Sequence, residues 1–168
     1  LFLRIPAWAE RPQLTVNGKP TAENLRAGRY HEIRRAWSTG DRVELTLPMP
    51  VQLLEAHPLV EEARNQVAIR RGPIVYCLES TDLPDHVRIE DVALRPKQPF
   101  RHRFVEDLLE GAVVLETSAL HLAGPDWNDA LYRPLSANEP DRVDIRLIPY
   151  YAWANRGDSE MTVWMPLR

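Results

Sequence analysis

The chain has 168 residues, 44% of them hydrophobic, enough to bury a core in one ordinary domain or two small ones. A formal net charge of -3 and a pI near 6.0 give no long-range positive field, which argues against nucleic acid and anionic membrane surfaces as partners. No stretch approaches the roughly twenty apolar residues of a membrane-spanning helix, so the chain reads as soluble.

The first residues, LFLRIPAWAE, lack the basic start and long apolar core of a signal peptide, and they open at Leu1 already in strand pattern with no initiator Met. The expectation is a piece of a longer protein. Next, QLTVNGKPT places Asn17 and Gly18 between two short extended runs, and Asn-Gly suits the positive φ angles of a type I′ hairpin. In STGDRVELTLP, Gly40 and Asp41 make a turn before a strand in which Val43, Leu45 and Leu47 alternate with Arg42, Glu44 and Thr46. The run Ile74 to Leu78 does not alternate, which predicts a strand covered on both faces. Strong alternation returns at Val143, Ile145 and Leu147, and again at Met161, Val163 and Met165. Fifteen prolines and the lack of any long helical stripe exclude long helices.

Strands at short, turn-punctuated intervals predict an all-β fold built on an antiparallel β-sandwich. Between Leu83 and Asp141 prolines and charges crowd together and the strand signals weaken. The expected division is therefore a first sandwich over residues 1–82, completed by 142–168, with a second, smaller β unit over 83–141 inserted before the C-terminal strands.

Cys77 is the only cysteine, which rules out an internal disulfide and fits a reducing, cytoplasmic compartment while leaving the compartment open. A nucleophilic thiol needs a cation, an imidazole, a metal or a helix N-terminus beside it. The sequence neighbours Val75, Tyr76 and Leu78 instead predict an inert core side chain. His31, His57, His86, His102 and His121 stand far apart, with no zinc-site spacing. The acidic pairs Glu61 with Glu62, Glu90 with Asp91, and Glu106 with Asp107 read as solvated surface rather than as a glycosidase acid and base. Asp126, Asn128 and Asp129 could ligate calcium but lack the spacing of a calcium loop, and turn chemistry accounts for them. Among the five tryptophans, Trp8, Trp37, Trp153 and Trp164 lie in or beside strand patterns, which predicts core packing or burial against another domain. Trp127, in a loop-rich stretch, is the one candidate for stacking on a sugar.

Five stretches, LRIPAWA, VNGKP, GRYHEIRRAWSTGDRVELTLPM, VAIRRGPIVYCLE and IPYYAWANRGDSEMTVWM, occur in an order and spacing that resemble the C-terminal β-sandwich region of glycoside hydrolase family 127, the β-L-arabinofuranosidase-type enzymes. The likeness is carried by residues 1–80 and 145–168. It implies an (α/α)6 catalytic barrel followed by two β-sandwich units, with a zinc-bound cysteine nucleophile and a glutamate acid/base in the barrel. Cys77 lies in the strand motif VAIRRGPIVYCLE, outside any catalytic motif, so the nucleophile role does not transfer to it. The resemblance therefore implies a non-catalytic region that supports its own (α/α)6 catalytic domain, with no catalytic or metal residue in this chain and the zinc held in the barrel. Two further readings remain open: a carbohydrate-binding module using Trp127, and an oligomerisation domain giving a homodimer.

Overall fold

The turn at Asn17 and Gly18 forms as the dipeptide predicts: both residues have positive φ, 52° and 73°, as a type I′ hairpin requires. In the computed structural model, which describes residues 1–21, 24–122, 130–132, 134 and 139–168, this hairpin joins β2 (Gln13–Val16) to β3 (Lys19–Pro20). The other edge of β2 pairs with β5 (Val43–Thr46), while β1 (Phe2–Arg4) pairs separately with β4 (Tyr30–Glu32). The Asn17 side-chain amide donates to Asp41 Oδ1 at 2.7 Å, and its carbonyl accepts from the Arg42 N–H at 2.8 Å. Two turns legible separately in the sequence are thus one network. The hydrogen bond from Asn17, then that from the Ser38 N–H, and the charge of Arg35 hold the Asp41 carboxyl below its ordinary range. Along β5 the expected alternation appears, with Val43 and Leu45 turned inward and Glu44 and Thr46 exposed. These elements belong to a compact unit made of Leu1–Val51 and Arg71–Pro73.

The second unit, Gln52–Arg70 with Ile74–Arg168, is organised around one large sheet. Its central path runs β10 (Arg101–Val105), β11 (Ala112–His121), β12 (Asp141–Pro149), β8 (Ile74–Glu79), β7 (Gln66–Arg71) and β14 (Trp164–Pro166). Off this path β6 (Val51–Glu55) joins β7, β9 (Val92–Ala93) joins β11, and β13 (Met161–Thr162) joins β8. Helical structure among the described residues is limited to four three-residue 3₁₀ turns. The fold is all-β and mostly antiparallel, as expected. The packing boundary falls at 51/52, whereas composition suggested 82 and 141: β9, β10 and β11 hydrogen-bond to each other and to β12, and β12 pairs with β8, in a single sheet.

One row of this sheet, Leu115, Leu147 and Leu78, crosses three strands with no exposure, and Tyr76 lies on the same face of β8, its hydroxyl donating to the Val113 carbonyl at 3.1 Å. The run expected to be covered on both faces is so from Tyr76 onward, while Ile74 and Val75 at its start are not fully buried. The run expected as one strand over 161–165 divides at Val163, because Thr162 pairs with Leu78 of β8 and Trp164 pairs with Ala68 of β7.

Gly72, at φ +59°, is required twice over: a left-handed backbone, and a Cβ that would lie 2.6 Å from Met49 Sδ and 2.8 Å from its Cγ. Gly18, also left-handed, faces open space. Gly72→Ala is expected to lower stability by roughly 1–3 kcal/mol and Gly18→Ala by about 1 kcal/mol. Thermal unfolding of both variants checks this, and equal losses would show that Met49 yields without cost.

Candidate functional site

Alternation along β8, β11 and β12 sorts chemistry onto the second face of the large sheet. Cys77 stands opposite Ile148, and two residues along, on the same face, come Glu79 and Arg146. Arg146 is opposite Glu116, which is in turn opposite Arg101 on β10. That face is therefore apolar at one end and ionic at the other.

At the apolar end Cys77 is fully buried among Leu108, Ala112, Val114, Ile148 and Ala152. Its Sγ donates a weak hydrogen bond to the Ile148 carbonyl at 3.7 Å. Burial first, and the negative charge of Glu79 second, push the thiol up to about 12. Such a thiol stays protonated at neutral pH, which suits neither nucleophilic attack nor the thiolate that a zinc site requires.

At the ionic end Glu79 is completely buried. Its Oε1 accepts from the Ala154 N–H at 3.0 Å and from the Ser159 hydroxyl at 3.2 Å, while Oε2 accepts from Arg156 Nε at 3.0 Å and from Nη2 of the same guanidinium. The other side of Arg156 is bound by Asp82, at 3.0 Å from Nη1 and 2.5 Å from Nη2. Burial alone would push the Glu79 carboxyl up, but the donors from Ala154, Arg156 and Ser159 outweigh it, and the group is held below the usual carboxylate range. Arg156 is raised further above its already high value, chiefly by Asp82. No sequence signal flagged this cluster: Glu79 and Arg156 are 77 residues apart and neither belongs to a motif with known spacing.

From Asp82 the charges continue outward. Arg146 lies 3.7 Å from Asp82 and 4.0 Å from Glu116, which also accepts from Arg103 at 2.7 Å. Asp82, Glu116 and Arg146, with Arg101, Ser118 and Asp144, line an open groove of about 890 Å³. A glycosidase acid must hold its proton near neutral pH, so its pKa is raised. The buried carboxyl here is moved the other way, and Asp82 and Glu116 each face arginines.

The histidines are distributed rather than gathered: His57, His86 and His102 are exposed, His31 is half-buried on β4, and the His121 ring meets that of His86, centre to centre at 6.0 Å. Among the described residues no group of three potential ligands forms a metal cluster. Glu61, Glu62, Glu90, Glu106 and Asp107 are exposed, and Asp91 is half-buried against Arg88 at 3.0 Å. Trp8 and Trp164 are half-buried. Trp37 and Trp153, expected in core packing or burial against another domain, are 41% and 40% exposed in this chain, Trp37 lying outside β5 under the Arg35 guanidinium and Trp153 following a surface turn. Trp127, Asp126, Asn128 and Asp129 lie outside the described residues.

Known proteins resemble the chain along its length. Residues 51–166 match the glycoside hydrolase family 127 C-terminal domain, and residues 1–49 match the family's β-L-arabinofuranosidase middle domain. The junction between the two coincides with the packing boundary at 51/52. The non-reducing end β-L-arabinofuranosidase of Bifidobacterium longum subsp. longum is 35% identical, over 96% of this chain and 25% of its own length. A solved glycoside hydrolase is 48% identical with a TM-score of 0.89, over 99% of this chain and 27% of its own. A family 127 β-L-arabinofuranosidase from Geobacillus stearothermophilus is 42% identical with a TM-score of 0.85, over 100% of this chain and 26% of its own. The chain thus spans about a quarter of the length of these relatives.

The folded Glu79 carboxyl has a pKa below its ordinary value of 4.5, so its stabilisation is complete above pH 4.5 and is lost as pH falls through the lowered value. Glu79→Gln, which strands Arg156 in a half-paired state, is expected to cost roughly 3 kcal/mol at neutral pH and to flatten this acid limb. Chemical denaturation between pH 7 and pH 3 checks both, and an unchanged acid limb would remove Glu79 from the account.

Proposed function

Since this chain belongs to glycoside hydrolase family 127, matched on its middle and C-terminal domains, we propose that it serves a larger hydrolase as a β-sandwich support while catalysis is carried out elsewhere in the parent protein. The parent, on this reading, acts on terminal arabinofuranosyl residues, in keeping with the names of its relatives, and the family resemblance implies an (α/α)6 barrel that would hold the zinc, the cysteine nucleophile and the glutamate acid/base. The observation that carries the reading is the environment of Cys77. The one thiol of the chain is a wall of the core, and its proton is held up to about pH 12. The ionic end of the same face supports it, since Glu79 and Asp82 are occupied in holding Arg156 and the strand ends together.

In the full-length parent, Cys77→Ala is expected to leave kcat/KM on an aryl β-L-arabinofuranoside within about twofold, while stability falls by roughly 1 kcal/mol from the lost buried sulfur. A drop of about a thousandfold, the scale on which removing a nucleophile acts, would overturn the assignment. The 168-residue chain assayed beside the parent is expected to give no turnover, and turnover by it alone would overturn the reading as well.

A further inference from the structure

The turn that follows β12 holds aromatic rings in water. Tyr150, Tyr151 and Trp153 are 47%, 64% and 40% exposed, and Val75, which adjoins the Tyr76–Pro149 pair that precedes the turn, is 37% exposed. The Tyr150 and Trp153 rings stack at 6.2 Å with an interplanar angle of 19°. Between them Ala152 is fully buried, which fixes which way the turn faces.

The turn is held from beneath by the ion cluster. The Trp153 N–H donates to the Tyr150 carbonyl, the Asn155 amide donates to the Ala152 and Trp153 carbonyls at 3.2 and 3.0 Å, and the Ala154 N–H donates to buried Glu79. Ala154 has φ +62°, a left-handed conformation unfavourable for alanine, and the Glu79 bond keeps it there. Burying Glu79, Arg156 and Asp82 adds little net stability compared with apolar residues of similar volume; what such a cluster supplies is a fixed geometry. Here the geometry fixed is that of a hydrophobic surface left exposed. Rigid Tyr and Trp side chains, held before association, are the residue types that dominate protein interfaces, because little entropy is lost when they are covered.

We infer that Val75, Tyr150, Tyr151 and Trp153 form the face on which the second unit docks against the catalytic region of its parent protein. The proposal rests on the supporting role assigned above and names its contact surface. The occupant follows from length: relatives of this chain are about four times as long, so a large protein body accompanies these domains in each of them. No other stretch of four residues among those described carries three exposed aromatic rings.

Hydroxyl-radical footprinting of the full-length parent tests this, with Tyr132, 91% exposed, as internal reference. If the face is free, Tyr151 is oxidised at a rate relative to Tyr132 that follows their exposures. If it is docked, Tyr151, 64% exposed here, falls below about a tenth and its oxidation slows roughly sixfold, with Tyr150 and Trp153 slowed alongside. The double variant Tyr151→Ala with Trp153→Ala is expected to make the domain junction more readily cleaved in limited proteolysis of the parent. Protection found elsewhere on the unit but not on this turn would overturn the proposed face and leave the supporting role standing. An absence of protection anywhere would overturn both. Protection that vanishes on dilution to a monomer would assign the face to a second copy, and protection that appears only with arabinose oligosaccharide would assign it to sugar; either overturns the occupant named here.

Discussion

The buried pairing of Glu79 with Arg156, extended to Asp82, is the constraint on which the second unit depends. Glu79 ends β8, Asp82 lies in the 3₁₀ turn after it, and Arg156 belongs to the loop between β12 and β13. Their joining closes that loop over the end of the central strand and delivers β13 onto β8 at the Met161–Glu79 pair. An isolated carboxylate without water would be intolerable, so each oxygen of Glu79 is matched by donors. Removing one partner would leave the other buried and charged, and this makes the cluster behave as a unit.

The same sheet face shows how strand alternation can hold two environments side by side. Only Leu78 separates Cys77 from Glu79, yet the first is packed among aliphatic side chains and the second among charges. The carboxylate reinforces the inertness of the thiol, since a negative charge nearby opposes formation of another. A protein using this thiol for catalysis would need the reverse arrangement, with a cation or imidazole beside it and access from solvent. The geometry places this thiol as a packed wall of the sheet, in a chain that spans a quarter of the hydrolases it matches.

Much of the fold was legible because the responsible interactions are local. Asn17 and Gly18 take positive φ for reasons contained in the two residues, and Val143, Ile145 and Leu147 point inward by the period of the strand itself. The sequence left a residue's role open where that role is set by partners remote in the chain. Trp153 carries the sequence signs of core packing or of burial against another domain, and only the fold shows that its neighbour Ala152 takes the buried position while the indole is 40% exposed in this chain. Strand signals over 83–141 are weak, and the strands β9, β10 and β11 that form there are held in the large sheet by pairing that leads to β12.

By itself, then, the sequence determined an all-β architecture, the positions of its tight turns, the inward faces of its alternating strands and the apolar setting of its one thiol. These follow from backbone sterics and side-chain period within a few residues. Only the tertiary structure decided the order of strands in the sheet, the boundary at 51/52, the ion cluster of Glu79, Asp82 and Arg156, and the exposure of the aromatic turn. Those depend on register between strands far apart in the chain, and register is set by which faces can be buried together, a condition no short stretch of sequence contains.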